Sequence, residues 1–260
     1  EQIKPFNFNF HLSDRVQELK NDHDFENRTP ENDSLNTPLV IKSIDSYLKN
    51  NYILDYDITC GVGNHQMMTY QFIEGKFPRR IHSSGSLGVM GAGLPYAVGC
   101  QIANPNSLVI DIDGDSSFMM TMSDMKTIVE NDLPVKIAIM NDSRQMMVNI
   151  WERLYFGERY VATINEKNPD FISLAESFGI KGFKCDNQTD LESLTKEFLS
   201  YDGPALCEYV VGEEICLPLV GPGKALDEMI LFNDYHFNDN DYDNDNNEKK
   251  MVFDKSNVPS

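Results

Sequence analysis

Asp111-Ile-Asp-Gly-Asp-Ser-Ser-Phe118 and Asn141-Asp-Ser-Arg-Gln145 decide how this chain is read. Each follows a short apolar, β-branched run bounded by turn residues: Ser107-Leu-Val-Ile-Asp-Ile112 before the first, Val135-Lys-Ile-Ala-Ile-Met140 before the second. Such runs read as buried strands. Between them Met122, Met125, Ile128 and Val129 recur at helical spacing, which predicts a helix over Thr121 to Asn131. Strand, loop, helix, strand, loop is one βαβ unit of a parallel sheet. Loops after neighbouring parallel strands lie side by side at the carboxyl edge, where ligands bind. Asp115 and Asp142 are therefore expected within a few ångströms of each other.

The residue types suggest the chemistry. Gly114, Ser116 and Ser117 let the backbone approach a ligand and offer N–H and hydroxyl donors. Asp115 and Asp142 offer hard oxygens, and two carboxylates so close repel unless a cation or proton lies between them. Mg²⁺ prefers an octahedral oxygen shell and is often held by one or two carboxylates plus phosphate oxygens. The residues alone predict a Mg²⁺–diphosphate site.

Two further glycine-bearing passages support a ligand edge. Ile53 to Ile58 reads as a strand, followed by Cys60-Gly-Val-Gly-Asn-His-Gln-Met67 at a helix start. Asn64, His65 and Gln66 can donate to anionic oxygen there; a lone His65 bonded to local backbone is the bland alternative. Phe77 to His82 reads as a short strand, and Ser83-Ser-Gly-Ser-Leu-Gly-Val-Met-Gly-Ala-Gly-Leu-Pro95 opens a helix to about Ala103. Gly-x-Gly spacing is weak by itself, and the Rossmann fingerprint fails because no suitable acidic residue follows in a matching βαβ unit.

Together these passages resemble the acetohydroxyacid synthase family of thiamine-diphosphate enzymes. Gly114-Asp-Ser116, then 24 residues, then Asn141-Asp142 is similar to the cofactor signature Gly-Asp-Gly…Asn-Asn. The resemblance implies that Asp115, the Asp142 side chain and the Arg144 backbone carbonyl ligate Mg²⁺. Asp for Asn at 142 keeps the oxygen and adds a charge. It implies that Val62, Asn64 and His65 belong to the diphosphate loop, with Asn64 for the usual Gln. The Gly88 carbonyl would bind the aminopyrimidine, and Met90 would wedge between the rings to hold the cofactor bent, as a pliable apolar side chain can. Gly114, Ser116, Ser117, Met146, Met147 and Val148 are implied cofactor contacts, and Met147 and Trp151 implied substrate contacts. Met146 stands where glycine is usual, so its side chain would crowd the cofactor.

The fold so implied is α/β, a doubly wound parallel sheet with helices on both faces. The implied activity is acetolactate synthesis from pyruvate with a second pyruvate or 2-ketobutyrate, in a homodimer or homotetramer built across the cofactor interface, with a possible regulatory subunit. No catalytic residue is assigned within the chain: the family's cofactor-activating glutamate lies in a separate domain, and its FAD domain has no counterpart here. The chain alone is expected to be an incomplete enzyme. Alternatives are another thiamine-diphosphate carboligase or decarboxylase, or an inactive cofactor-binding or assembly module.

Composition sets the outer limits. A 41% hydrophobic content supports a core, and a formal net charge of −19 argues against nucleic-acid and anionic-membrane partners. No apolar run reaches the roughly 20 residues of a membrane span. The five cysteines form no Cys-x-x-Cys pair, which predicts reduced thiols in an intracellular, soluble protein. The family's home is plastid or mitochondrion in eukaryotes and cytoplasm otherwise. Residues 1–36 read as a polar linker with a short helix near Ser13–Lys20, 37–212 as the cofactor domain, 213–232 as a carboxyl-terminal arm, and 233–260 as an Asp/Asn-rich disordered tail. Within the domain, helices are expected at Pro38–Tyr52, after Asn168-Pro-Asp170, and from a Thr189-to-Glu192 capping box to Leu199, with strands at Ile180–Cys185 and Pro204–Val211.

Overall fold

The computed structural model describes residues 29–230, apart from 31, 52, 54, 75–77 and 227. The expected helix near residues 13–20 and the tail 233–260 lie outside the described residues. Thr29–Cys216 form one compact unit. Its framework is a six-stranded, wholly parallel sheet in the order β2-β1-β3-β4-β6-β5. The strands are β1 Tyr56–Cys60, β2 Ile81–Ser83, β3 Leu108–Gly114, β4 Lys136–Asn141, β5 Lys181–Cys185 and β6 Ala205–Val210. The two central strands carry the β-branched runs of the sequence, and every residue of β4 is buried. That is what a strand covered on both faces requires.

The helices are α1 Thr37–Asn50, α2 Asn64–Phe72, α3 Gly93–Ala103, the single-turn α4 Asp115–Met119, α5 Met125–Glu130, α6 Met146–Tyr155, α7 Phe171–Phe178 and α8 Gln188–Ser200. Leu94 of α3, Phe118 of α4, Met125 and Ile128 of α5, and Phe171 and Ala175 of α7 share one core with Val109, Ile137, Ile139 and Leu206 of the sheet. In register, Asp111, Ile137 and Leu206 lie on one face while Ile112, Ala138 and Cys207 lie on the other. The sheet is doubly wound, as its alternating strand–helix pattern predicts. The chain leaves β1 outward to β2, then returns to β3 and runs the other way to β4. The reversal falls between β1 and β3, and such a switch point opens a crevice at the carboxyl ends.

Several differences from expectation trace to particular hydrogen-bond partners. The passage after β3 is not a loop followed by one helix: α4 begins directly at Asp115, and a 3-10 turn at Met122–Asp124 separates it from α5. The interruption coincides with Thr121, whose hydroxyl donates to Gly91 O at 2.8 Å and ties the chain to the β2–α3 loop. Asp170, not Asn168, caps α7, accepting from the Ile172 and Ser173 amides at 3.0 Å each. Asn187, not Thr189, caps α8, accepting from Asp190 N at 2.9 Å. Thr189 Oγ1 donates instead to Asp33 at 3.1 Å. Residues of the expected linker thereby join the domain: Leu35 is buried and bridges Val211, and Asn36 caps α1. β1 begins at Tyr56 rather than Ile53, and β2 begins at Ile81, while Phe77 lies outside the described residues.

Residues 217–230 belong to a separate unit. In it β7 Leu219–Val220 and β8 Met229–Ile230 pair antiparallel, with Lys224 Nζ 3.3 Å from Glu228 Oε1 in the turn between. Among the described residues no helix is long and apolar enough to cross a membrane.

Candidate cofactor and metal site

At the carboxyl edge β3 ends at Gly114 and its neighbour β4 at Asn141, so Asp115 and Asp142 emerge from adjacent strand ends. Asp115 is buried and Asp142 half-buried. Burial, followed by repulsion from Asp115, pushes the Asp142 carboxyl up to about 8. Burial raises Asp115 too, against hydrogen bonds from Asn168 and Asn165. Two partly dehydrated carboxylates, one of which raises the proton affinity of the other, suit a cation. Hard oxygens at a helix start suit Mg²⁺, and the donor set fits the metal implied by the resemblance.

The turn after β4 aims these ligands. Ser143 adopts a left-handed φ of 56°, and the Asp142 carboxylate accepts from Arg144 N at 3.0 Å. The guanidiniums of Arg144 and Arg153 both bind Glu213, one on each carboxylate oxygen. Burial works against the Arg153 charge, and Glu213 outweighs it.

Two residues outside the predicted site hydrogen-bond to Asp115. The segment around Thr163 runs antiparallel to this turn, with Gln145 N bonded to Thr163 O at 2.9 Å and Asn165 N to Ser143 O at 2.8 Å. That brings two amides onto Asp115. Asn165 Nδ2 donates to Asp115 Oδ2 at 2.9 Å and to Ser116 Oγ at 2.6 Å. Asn168 Nδ2 donates to Asp115 Oδ2 at 2.6 Å and to Asn141 Oδ1 at 2.9 Å. Asn141 in turn donates to Glu208 Oε1 at 2.7 Å, and Lys184 lies 3.1 Å from Glu208 Oε2. Asn168 reads as a helix cap in sequence, and nothing local in the sequence marks Asn165.

The other two loops meet β3 from the far side. His65, in the first turn of α2, is buried with Nε2 3.2 Å from Asp113 Oδ1. Its ring leaves no room for a side chain at Gly114: a Cβ there would stand 2.8 Å from Nδ1. Asn64 donates to Glu214 O at 2.6 Å, and its Oδ1 is buried without a partner. Ser117, expected as a ligand donor, accepts from Gly91 N at 2.9 Å. Gly91 needs its φ of 78°, and a Cβ there would strike Met120 at 2.9 Å. The Ser117 and Thr121 bonds therefore fasten Gly91, beside the Gly88–Met90 segment, to α4 and the turn after it. Val62 and Met90 are half-buried, and Gly88 is exposed with a φ of 62°.

Helix α6 separates the remaining candidates. Met146 is 4% exposed and shares the buried face with Ile150 and Leu154, so the side chain expected to crowd the cofactor turns into the core. Met147 and Trp151, one turn apart, are half-buried; Trp151 stacks on Tyr155 with centroids 5.3 Å apart. Val148 is exposed.

Residues 61–209 match the family model for the thiamine pyrophosphate enzyme C-terminal TPP binding domain. The acetolactate synthase catalytic subunit, mitochondrial, of Saccharomyces cerevisiae is 47% identical over 176 residues, covering 67% of this chain and 26% of that protein. The acetolactate synthase large subunit of Porphyra purpurea is 45% identical over 183 residues, 70% of this chain and 31% of that one. The isozyme 2 large subunit of Escherichia coli is 38% identical over 214 residues, 82% of this chain and 38% of that one. The chain thus spans well under half the length of these relatives. The family model covers more than half of the chain, from the first glycine loop to the last parallel strand, and places the protein among the thiamine pyrophosphate enzymes through their C-terminal cofactor-binding domain.

Proposed function

We propose that this chain is the cofactor-binding portion of an acetolactate synthase. The observation that carries the reading is that Asp115 and Asp142 follow the ends of the neighbouring strands β3 and β4, beside loops that resemble the diphosphate-binding loops of that family. In this reading Asp115, Asp142 and the Arg144 carbonyl hold Mg²⁺. Bound there, the metal would neutralise the carboxylates and supply a charge for a diphosphate. Val62, Asn64, His65, Gly114, Ser116 and Ser117 form the surrounding wall; Asn64 reaches a phosphate by releasing Glu214 O. Gly88 and Met90 orient the rings. Thiamine diphosphate, when bound, supplies a thiazolium ring that takes up the electron pair as CO₂ leaves a 2-ketoacid.

The chain's own work is binding, orientation and water exclusion. Met147 and Trp151 sit on one side of α6, placed to line the space for pyruvate and a second pyruvate or 2-ketobutyrate. Val148 is exposed on that helix, and Leu87 and Val89 on the β2–α3 loop, which supports a companion surface such as a homodimer or homotetramer interface. The activating glutamate and an FAD site belong to a different part of the synthase. A regulatory subunit and an organellar home in eukaryotes follow from the same reading.

Calorimetry with thiamine diphosphate, with and without Mg²⁺, tests the binding half, and Mg-dependent binding is expected. Joining the chain to the remaining synthase domains and analysing products from pyruvate tests the activity half; acetolactate is expected, whereas free aldehyde indicates a decarboxylase. One observation favours an inactive binding module as second reading: the Asn64 amide is already engaged with Glu214 O. Folded protein that binds no cofactor in the presence of Mg²⁺ would support that reading instead.

A further inference from the structure

The amino half of the sheet carries a second constellation that the cofactor reading does not use. Asp57 on β1, His82 on β2 and Cys100 on α3 place a carboxylate oxygen, an imidazole nitrogen and a thiol sulfur all within 4.8 Å of one another. Asp57 is buried, and the other two are half-buried. Cys100 lies seven residues beyond Gly93, about 10 Å along α3 from the end that meets the cofactor loops.

The carboxylate is already oriented as a ligand would be. Its Oδ2 accepts from Ser107 Oγ at 2.9 Å, Asn104 Nδ2 at 3.2 Å and Arg80 at 3.4 Å. Its Oδ1 faces His82 Nε2 at 3.0 Å. One oxygen is thus anchored by outer partners while the other points at the imidazole, an arrangement that fixes a ligand for a metal. A tetrahedron with bonds of 2.0–2.3 Å has edges of about 3.4–3.8 Å. A spread of at most 4.8 Å closes onto one ion if the side chains move by about 1 Å. His82 sits on a three-residue edge strand with its side chain 33% exposed, so that movement is available.

We propose that Asp57, His82 and Cys100 form a site for a borderline-soft divalent cation of the zinc class, with water as fourth ligand. Mixed oxygen, nitrogen and thiolate donors favour Zn²⁺ over Mg²⁺, which takes oxygen shells. On ligation the Cys100 thiol gives its proton to solvent, and the Asp57 and Cys100 charges balance the ion. Arg80 stays outside, on Oδ2 and on Asp55 at 3.0 Å. The bound ion staples edge strand β2 to α3, the two elements that flank the Gly88–Met90 loop.

Co²⁺, titrated into the full chain as a spectroscopic stand-in for Zn²⁺, is expected to give a thiolate-to-metal charge-transfer band. The band is lost in Cys100→Ser. Cobalt affinity falls at least about tenfold in His82→Gln, since outer-sphere losses alone cost that much. Asp142→Asn, which alters the other cation site, leaves the band in place. In the unaltered chain, Zn²⁺ is expected to protect Cys100 from iodoacetamide, read by peptide mass spectrometry; the other four cysteines are buried. No band in the unaltered chain, a band that survives Cys100→Ser, or alkylation of Cys100 indifferent to Zn²⁺ each overturns the proposal. The alkylation readout needs no variant, so misfolding of Cys100→Ser does not rescue it.

Discussion

Asn168 Nδ2 lies 2.6 Å from Asp115 Oδ2 and 2.9 Å from Asn141 Oδ1, so a single amide bridges the ends of β3 and β4. It acts on Asp115 through position, since it carries no charge. Asn168→Ala removes one of the two amides that hold Asp115, leaving Asn165, and leaves Asn141 Oδ1 with the Ser143 amide at 3.1 Å. Mg²⁺-dependent cofactor binding, measured by calorimetry, is expected to weaken by about 10- to 100-fold with the far-ultraviolet circular dichroism unchanged.

Asp142 and Lys136 give stability without metal opposite pH dependences on the two sides of pH 8, and above pH 9 the Cys60 and Cys207 thiols, raised by burial, oppose the Lys136 gain. Asp142 titrates near 8 in the fold and near 3.8 unfolded, so the folded chain binds the extra proton. Its contribution is full below pH 4 and lost as pH rises to 8. Lys136 has the opposite sign. Burial, against the Asp202 charge, lowers its amine to about 8 from 10.5, so the fold regains stability as pH climbs from 8 to 10.5. Urea midpoints across pH 5–10 check both arms. Asp142→Asn flattens the acid arm, and excess Mg²⁺ does the same in the unaltered chain.

Gly114→Ala tests the packing of His65. The new methyl would stand 2.8 Å from Nδ1 and 3.0 Å from Cε1, and a ring buried against Asp113 has little room to yield. Urea unfolding is expected to show a loss of about 1–3 kcal/mol. An unchanged midpoint would mean that the ring swings clear.

Glu213→Gln is expected to loosen the turn that carries Asp142. Glu213 binds both Arg144 and Arg153, and all three side chains are less than a quarter exposed. Neutralising it leaves two partly buried cations facing an uncharged amide. A loss of about 1–3 kcal/mol is expected in thermal unfolding, smaller at high salt.

How legible all this is in sequence differs by element. The β-branched runs before Asp113 and Asn141 mark β3 and β4 to within two residues, because continuous apolar stretches bounded by turns have few other uses. Boundaries fail where a partner distant in sequence intervenes. Thr121 is drawn to Gly91 O and the helix after β3 breaks there. Asn187 caps α8 in place of Thr189, which turns to Asp33. Met146 stands at a cofactor position in the family pattern, and only the phase of α6 shows that it points into the core.

Periodicity and residue type determined, from the sequence alone, that this chain makes a parallel α/β sheet and that its carboxyl-edge loops carry acid and amide groups suited to a metal-bound diphosphate. Which groups hold those ligands in place was decided by tertiary structure. Asn165 and Asn168 reach Asp115 because residues 163–165 run back along 143–145, and His65 meets Asp113 because β1 and β3 are neighbours at the switch point. Local pattern encodes what each segment must bury; it does not encode which distant backbone will carry a donor across to it.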